Sequence, residues 1–308
     1  MFNEFIKEII EKEIKISFSN GKLQYSGPEQ YINEELIIKL KKYRAKLLKY
    51  FWPADCPNIM PINTEGNKVP LILLHAGEAN YSLSNYLGSE QPFYGFFYIG
   101  SEGEKIRYRS VEAFAEEYLN QLMKIVPQGP YYLGGFSFGG ILAYEMAVIL
   151  GKKGFDVPLL ILVDCEIKSP ENENDKSQHS HYRRSALKKY LRGIYNWIYF
   201  NSIKNIDYFL QLLKINIPVK YRNSYIIWTY SRLLGDYKPI TPFSGKILLF
   251  KVEENQSQSQ YLGWDRLCDQ IQMEILKGNH RTMYRSQESI DLLSEKIDGA
   301  IKNAGNKD

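Results

Sequence analysis

The pattern of apolar positions divides the chain into two textures. In FIKEIIEKEI, Phe5, Ile6, Ile9 and Ile10 recur at helical spacing and share one face. KISFS, residues 15–19, then alternates like a half-buried strand, Asn20 and Gly21 supply the positive-φ pair of a tight hairpin, and KLQY returns. Asn33 is placed to cap a second helix, EELIIKLKKYRAKLLKYF, whose apolar stripe is Leu36, Leu40, Tyr43, Leu47 and Leu48. Residues 1–52 are therefore expected to form a small αββα unit, whose marginal core suits a contact element better than a catalyst. Residues 53–69, PADCPNIMPINTEGNKV, hold three prolines and no apolar period, and read as a linker laid partly on the next domain.

From Pro70 onward, apolar runs alternate with helical stretches. PLILLHA, FYGFFYI, PYYLGGF, PLLILVD, GKILLFKV and IQMEIL read as buried strands, with VEAFAEEYLNQLMKIV and GILAYEMAVILGKKG as helices between them. That order predicts an α/β fold with a mostly parallel, wound sheet over residues 70–308. The alternation breaks at about 166–241, where a polar run gives way to aromatic-rich helical segments. An insertion this long between two core strands is expected to be a helical lid. Its tyrosines, Tyr190, Tyr195, Tyr199, Tyr208, Tyr221, Tyr225 and Tyr230, suit either an amphipathic or aromatic ligand or plain packing of lid helices on the core.

The candidate chemistry lies in YYLGGFSFGG, residues 131–140. Ser137 fits two patterns there: LGGxS, the serine that bears a phosphopantetheine arm in small all-helical domains, and Gly-x-Ser-x-Gly. The flanks decide, because the motif follows a strand and Gly139 and Gly140 open a helix, which is the context of a nucleophile elbow. Gly135 and Gly139 are needed where the turn is strained and backbones approach closely. A serine at an elbow needs an imidazole base and an acid to hold it. Of four histidines, His75 ends the first apolar strand and His179 and His181 sit in the polar insertion. His280, in GNHRTM after the last strand, is the one that fits the order nucleophile, acid, histidine. Asp164 closes PLLILVD and is favoured as the acid, with Glu253 and Glu254 at the end of the next strand as contenders.

Charge and cysteine content narrow the class without naming it. A net charge of +4 from 39 basic and 35 acidic residues gives no footprint for nucleic acid. Cys56, Cys165 and Cys268 lack disulfide or zinc spacing and fit a reducing, cytoplasmic setting. No export segment or membrane span is expected.

Two resemblances rest on these residues. Residues 3–51, with the KISF and GKLQY strands and the closing K-x-x-L-L helix, resemble the TubC-type N-terminal docking domains of megasynthase subunits. That likeness implies β-augmentation by the C-terminal tail of an upstream subunit on the hairpin, near Lys15, Ile16, Phe18, Lys22 and Gln24. From about Pro70 to Ile301 the chain resembles the releasing thioesterases of nonribosomal peptide and polyketide synthases, through QPFYGF, GPYYLGGFSFGGILAYEMA, the LGW of 262–264 and GNHRTM. It implies an α/β-hydrolase fold and a Ser137, Asp164, His280 triad. It also implies an oxyanion hole from the backbone of Phe138 and of the HAGEAN loop, for which Ala76 is the choice. The substrate would arrive as a thioester on a partner carrier protein, with no cofactor or metal. Relatives carry H-P-A-G-G or H-A-G-G where this chain has HAGE in a shorter loop. Glu78 there would bring negative charge near a developing oxyanion unless it points away. An editing thioesterase and a docking adaptor without activity are the competing expectations.

Overall fold

The computed structural model describes residues 2–19, 22–50, 56, 58–63, 66–100, 105–167, 217, 219–257, 259–284 and 286–305. In the N-terminal unit, α1 (Phe2–Glu11), β1 (Lys15–Ser19), β2 (Lys22–Ser26) and α2 (Glu34–Tyr50) follow in the expected αββα order. Phe5, Ile6 and Ile9 bury themselves against Ile14, Leu36, Leu40 and Leu47. Ile10 does not join them and is 62% exposed. One residue is about 100° of helix rotation, which carries Ile10 from the buried flank of Ile9 to solvent. The Asn33 side-chain oxygen accepts the Leu36 N–H at 2.9 Å, so α2 starts at a true cap. Asn33→Ala is expected to cost about 1 kcal/mol of this small unit's stability. The check is faster amide exchange along the first turns of α2 in the full chain.

Seven strands form the second sheet, in the order β3-β5-β4-β6-β7-β8-β9 among the described residues. Here β3 is Ile59–Asn63, β4 Leu71–Leu74, β5 Phe93–Phe96, β6 Tyr132–Phe136, β7 Leu159–Val163, β8 Lys246–Val252 and β9 Ile271–Leu276. Five of the six pairings are parallel; β3 alone runs antiparallel, against β5. Strand β3 corrects the expectation of a linker across 53–69. It was hidden because Pro61 breaks the apolar run, and a proline is admissible on an edge strand, where one row of N–H groups has no sheet partner.

Helices cover both faces of this sheet, which is why β4, β6 and β7 are buried at every residue. One face packs on α4 (Val111–Ile125) and α5 (Phe138–Lys152), through Phe114, Tyr118, Leu142 and Met146. The other packs on α3 (Ala79–Leu87) and α7 (Gln287–Gly305), through Leu83, Leu293 and Ile297. From β4 the chain passes to β5 on one side and then to β6 on the other. The order therefore reverses between β4 and β6, and the crevice outside their C-terminal ends is where such sheets place ligands.

Most of the predicted lid lies outside the described residues, including Tyr190, Tyr195, Tyr199, Tyr208, His179 and His181. Its last helix, α6 (Val219–Asp236), is described, and it packs on the core. Tyr225 and Tyr230 are buried, the Ile106 N–H donates to the Tyr225 hydroxyl at 3.0 Å, and Tyr230 donates to the Ile99 carbonyl at 3.3 Å. For these two tyrosines the packing role holds.

Candidate active site

Three strand ends at the sheet's C-terminal edge each carry one residue past the last strand position. The His75 N–H bonds to the Phe96 carbonyl, that of Ser137 to Val163, and that of Asp164 to Phe250. Each is the final rung of its ladder, and each sits at positive φ: 60° for His75, 53° for Ser137 and 45° for Asp164. Side chains rarely adopt this region, and here the strain turns three chains sharply outward at one edge. Of the described non-glycine residues only Glu13 and Leu262 share it.

At Ser137 the backbone stands at φ 53°, ψ −122°, directly before α5. The turn closes only because glycines line it. A Cβ on Gly135 would lie 2.2 Å from the Gly139 carbonyl carbon, one on Gly139 2.5 Å from the Leu74 oxygen, and one on Gly140 2.8 Å from the Cys165 sulfur. These contacts are the physical content of the elbow motif, and they press β4, the elbow and the end of β7 together. Phe138 is the first residue of α5, so its N–H has no partner within the helix.

Asp164 and His280 meet side chain to side chain. His280 Nδ1 donates to Asp164 Oδ2 at 2.6 Å, with the carboxylate side chain 3% exposed and the imidazole 51%. Asp164 Oδ1 also accepts from Asn255 Nδ2 at 2.7 Å and from the Val252 N–H at 3.4 Å. Burial alone would raise this carboxyl, but the hydrogen bonds from His280 and Asn255, the charge of His280 and the Val252 amide outweigh it and hold Asp164 below the usual aspartate range. Glu253 and Glu254, the contenders for the acid, are exposed. A bond from Asp164 to Nδ1–H leaves His280 Nε2 with its lone pair, the state a general base needs. Ser137 and His280 are not hydrogen-bonded to one another.

Asn255 was not foreseen, because it sits in the polar run ENQSQSQ, which reads as plain loop. The LGW segment braces the site from behind. Trp264 Nε1 donates to the Cys165 carbonyl at 2.6 Å, and the Ile167 N–H to the Leu262 carbonyl at 3.0 Å. Both bonds secure the chain that leaves Asp164. In the HAGEAN loop Ala76 is buried and Glu78 exposed. The N–H groups of Ala76 and Phe138 have no acceptor among the described residues. Of the residues expected to meet a partner tail, Lys15 is exposed, while Ile16 is half-buried and packs on the unit's own core. Phe18, Lys22 and Gln24 lie on the hairpin, Phe18 opposite Leu23, Lys22 opposite Ser19 and Gln24 opposite Ser17; their side chains are outside what is described.

The fold agrees with the comparisons. The family model described as thioesterase domain matches residues 70–299. The chain belongs to the thioesterase-domain family. A second model, the TubC N-terminal docking domain, matches residues 3–52. Among curated proteins, a malpibaldin synthetase of Mortierella alpina is 41% identical over 110 residues, covering 34% of this chain and 2% of its own length. A dimodular nonribosomal peptide synthase of Bacillus subtilis is 26% identical over 205 residues, 63% of this chain and 8% of that protein. This chain thus spans a small fraction of these synthetases. The thioesterase domain of NocB, from the nocardicin cluster, superposes with a TM-score of 0.56 at 21% identity, covering 80% of this chain and 99% of the domain. At that identity the likeness establishes the α/β-hydrolase fold of a thioesterase domain. Among the described residues, no helix is long and apolar enough to cross a membrane.

Proposed function

We propose that this thioesterase takes an acyl or peptidyl chain from a carrier-bound phosphopantetheine thioester onto Ser137 and then releases it by hydrolysis or cyclisation. The observation that carries this reading is the Asp164–His280 pair beside a glycine-lined elbow. Ser137 Oγ gives its proton to His280 Nε2 and bonds to the thioester carbon, so the carbonyl π electrons move onto oxygen. The backbone N–H groups of Phe138 and Ala76 receive that oxyanion. The intermediate collapses as the C–S bond breaks, and His280 returns its proton to the pantetheine sulfur. Water, or an amine or hydroxyl of the chain itself, then attacks the Ser137 ester with His280 again as base. Nucleophile, base and acid all belong to the chain, so the reading calls for no metal or organic cofactor.

The N-terminal unit receives the C-terminal tail of an upstream synthase subunit along its hairpin edge, with Lys15 meeting acidic side chains. Lys15→Glu is expected to raise KM about tenfold for the carrier-bound substrate of that subunit and to leave turnover of free acyl-pantetheine unchanged. Equal KM values for the carrier-bound substrate would remove Lys15 from the contact.

The direct test of the acyl-accepting role is intact-protein mass after exposure of the full chain to a fluorophosphonate and to acyl-pantetheine thioesters. One adduct per chain, mapped to Ser137, is the expected result; an unlabelled protein would leave the inactive-adaptor reading standing.

A further inference from the structure

The short HAGE loop raises a specific problem. An oxyanion donor must be held rigidly before reaction, yet the loop places a non-glycine residue, His75, at φ 60° just before the donor Ala76. The structure holds that strained residue from three sides. The Tyr98 hydroxyl donates to the His75 carbonyl at 2.7 Å. The Tyr98 ring stacks on the His75 ring at 4.4 Å. Tyr118 donates its proton to the Phe97 carbonyl at 2.7 Å and therefore accepts from His75 Nε2–H at 3.0 Å. His75 is 1% exposed, its Nδ1 has no partner, and burial pushes its pKa down to about 3, so it stays neutral.

We propose that Tyr98 is a positioning residue for the oxyanion hole: by gripping the His75 carbonyl, its hydroxyl fixes the His75–Ala76 peptide plane and so aims the Ala76 N–H. The inference rests on the reading of Ser137 as acyl acceptor. In a planar trans peptide the C=O and the following N–H point in opposite directions, so a bond that fixes one fixes the other. The carbonyl of His75 has no strand partner to do this, because the ladder ends at its own N–H. Tyr98 is 37% exposed, yet desolvation of its phenol and the neighbouring Tyr284 push it up to about 12, so the hydroxyl keeps its proton and remains a donor at working pH. The opposite wall of the hole is tied to the same assembly. Tyr230 of α6 stacks on Phe138 at 4.2 Å and is nearly parallel to His75 at 5.7 Å. The rings thus bind both donor-bearing segments into one packed unit, and Tyr98 is its only member that bonds the donor peptide itself, among the described residues.

The experiment compares the full chain with Tyr98→Phe and Tyr98→Leu, using N-acetylcysteamine thioesters as substrate and an alkylboronic acid as the tetrahedral mimic. Tyr98→Phe keeps the ring and removes only the hydroxyl. It is expected to lower kcat about 10- to 50-fold with KM unchanged, and to weaken boronate binding by the same factor, less than the loss of a whole donor. Its melting temperature should fall by no more than a few degrees, roughly the cost of one lost hydrogen bond, and fluorophosphonate labelling of Ser137 should still go to completion. Parent-like kcat and boronate affinity in Tyr98→Phe would overturn the proposal. A loss confined to Tyr98→Leu would do so too, since it would assign the effect to ring packing. If the parent itself fails to label at Ser137, the reading beneath the proposal falls, and that result is distinct from either.

Discussion

Ser137→Ala is expected to lower thioester turnover by about 10⁴-fold or more and to abolish the acyl adduct, with the fold unaffected. The size of the loss follows from the absence of a substitute nucleophile among the described residues considered at the site. Cys165 is the nearest thiol in sequence, but it is buried and burial pushes its pKa well up, so it holds no thiolate to offer. The Tyr98 phenol is likewise kept protonated. What survives in the variant is whatever binding and the two backbone N–H groups contribute without covalent chemistry. Stability should not fall, because Ser137 Oγ makes no hydrogen bond that the methyl group would forfeit, and the positive φ strains alanine as it strains serine. Paired measurements of kcat with each thioester, intact mass and thermal melting separate the outcomes. A variant that melts with the parent and still gains acyl mass would move the acyl-accepting group elsewhere.

Much of this site was legible because the chain announces it locally. The continuous apolar runs LILL and LLILV are what strands covered on both faces look like, and both proved central. The elbow was readable since strand, glycines and helix all adjoin Ser137, and chain order pointed to His280, which the fold brings to Asp164. Three features escaped for a common reason: their role is set by partners distant in sequence. Strand β3 carries Pro61, which signals a break, and only pairing with β5 makes it a strand. Asn255 reads as loop polarity until the end of β8 brings its amide to Asp164, 91 residues away. Tyr98 acts through a backbone carbonyl, and no side-chain spacing encodes that. Ile10 shows the opposite limit, where an apolar residue at the margin of a helical stripe fits the shared face by spacing and yet stands in solvent.

Asp164→Asn is expected to lower kcat about 10³- to 10⁴-fold with little change in KM. Asparagine keeps the shape of the side chain but replaces one acceptor oxygen with an amine that donates. If that amine faces His280, the ring must present Nδ1 as acceptor and carry its proton on Nε2, which removes the base at the position facing the nucleophile. If the amide turns the other way, the amine meets Asn255 Nδ2, and two donors oppose each other in a buried space. Either arrangement also withdraws the negative charge that stabilises the imidazolium formed during attack. The same residue leaves a mark on stability. Its folded pKa lies below the ordinary 3.8, so the carboxylate contributes stability that is complete above that value and drains as pH falls through it toward the folded value. The parent's melting temperature should therefore decline more steeply than the variant's as pH drops from about 5 to 3. Parallel declines would mean that Asp164 is not held below its ordinary range. A large kcat loss alongside such parallel declines would confine its role to setting the tautomer of His280, with no share in the acid stability of the fold.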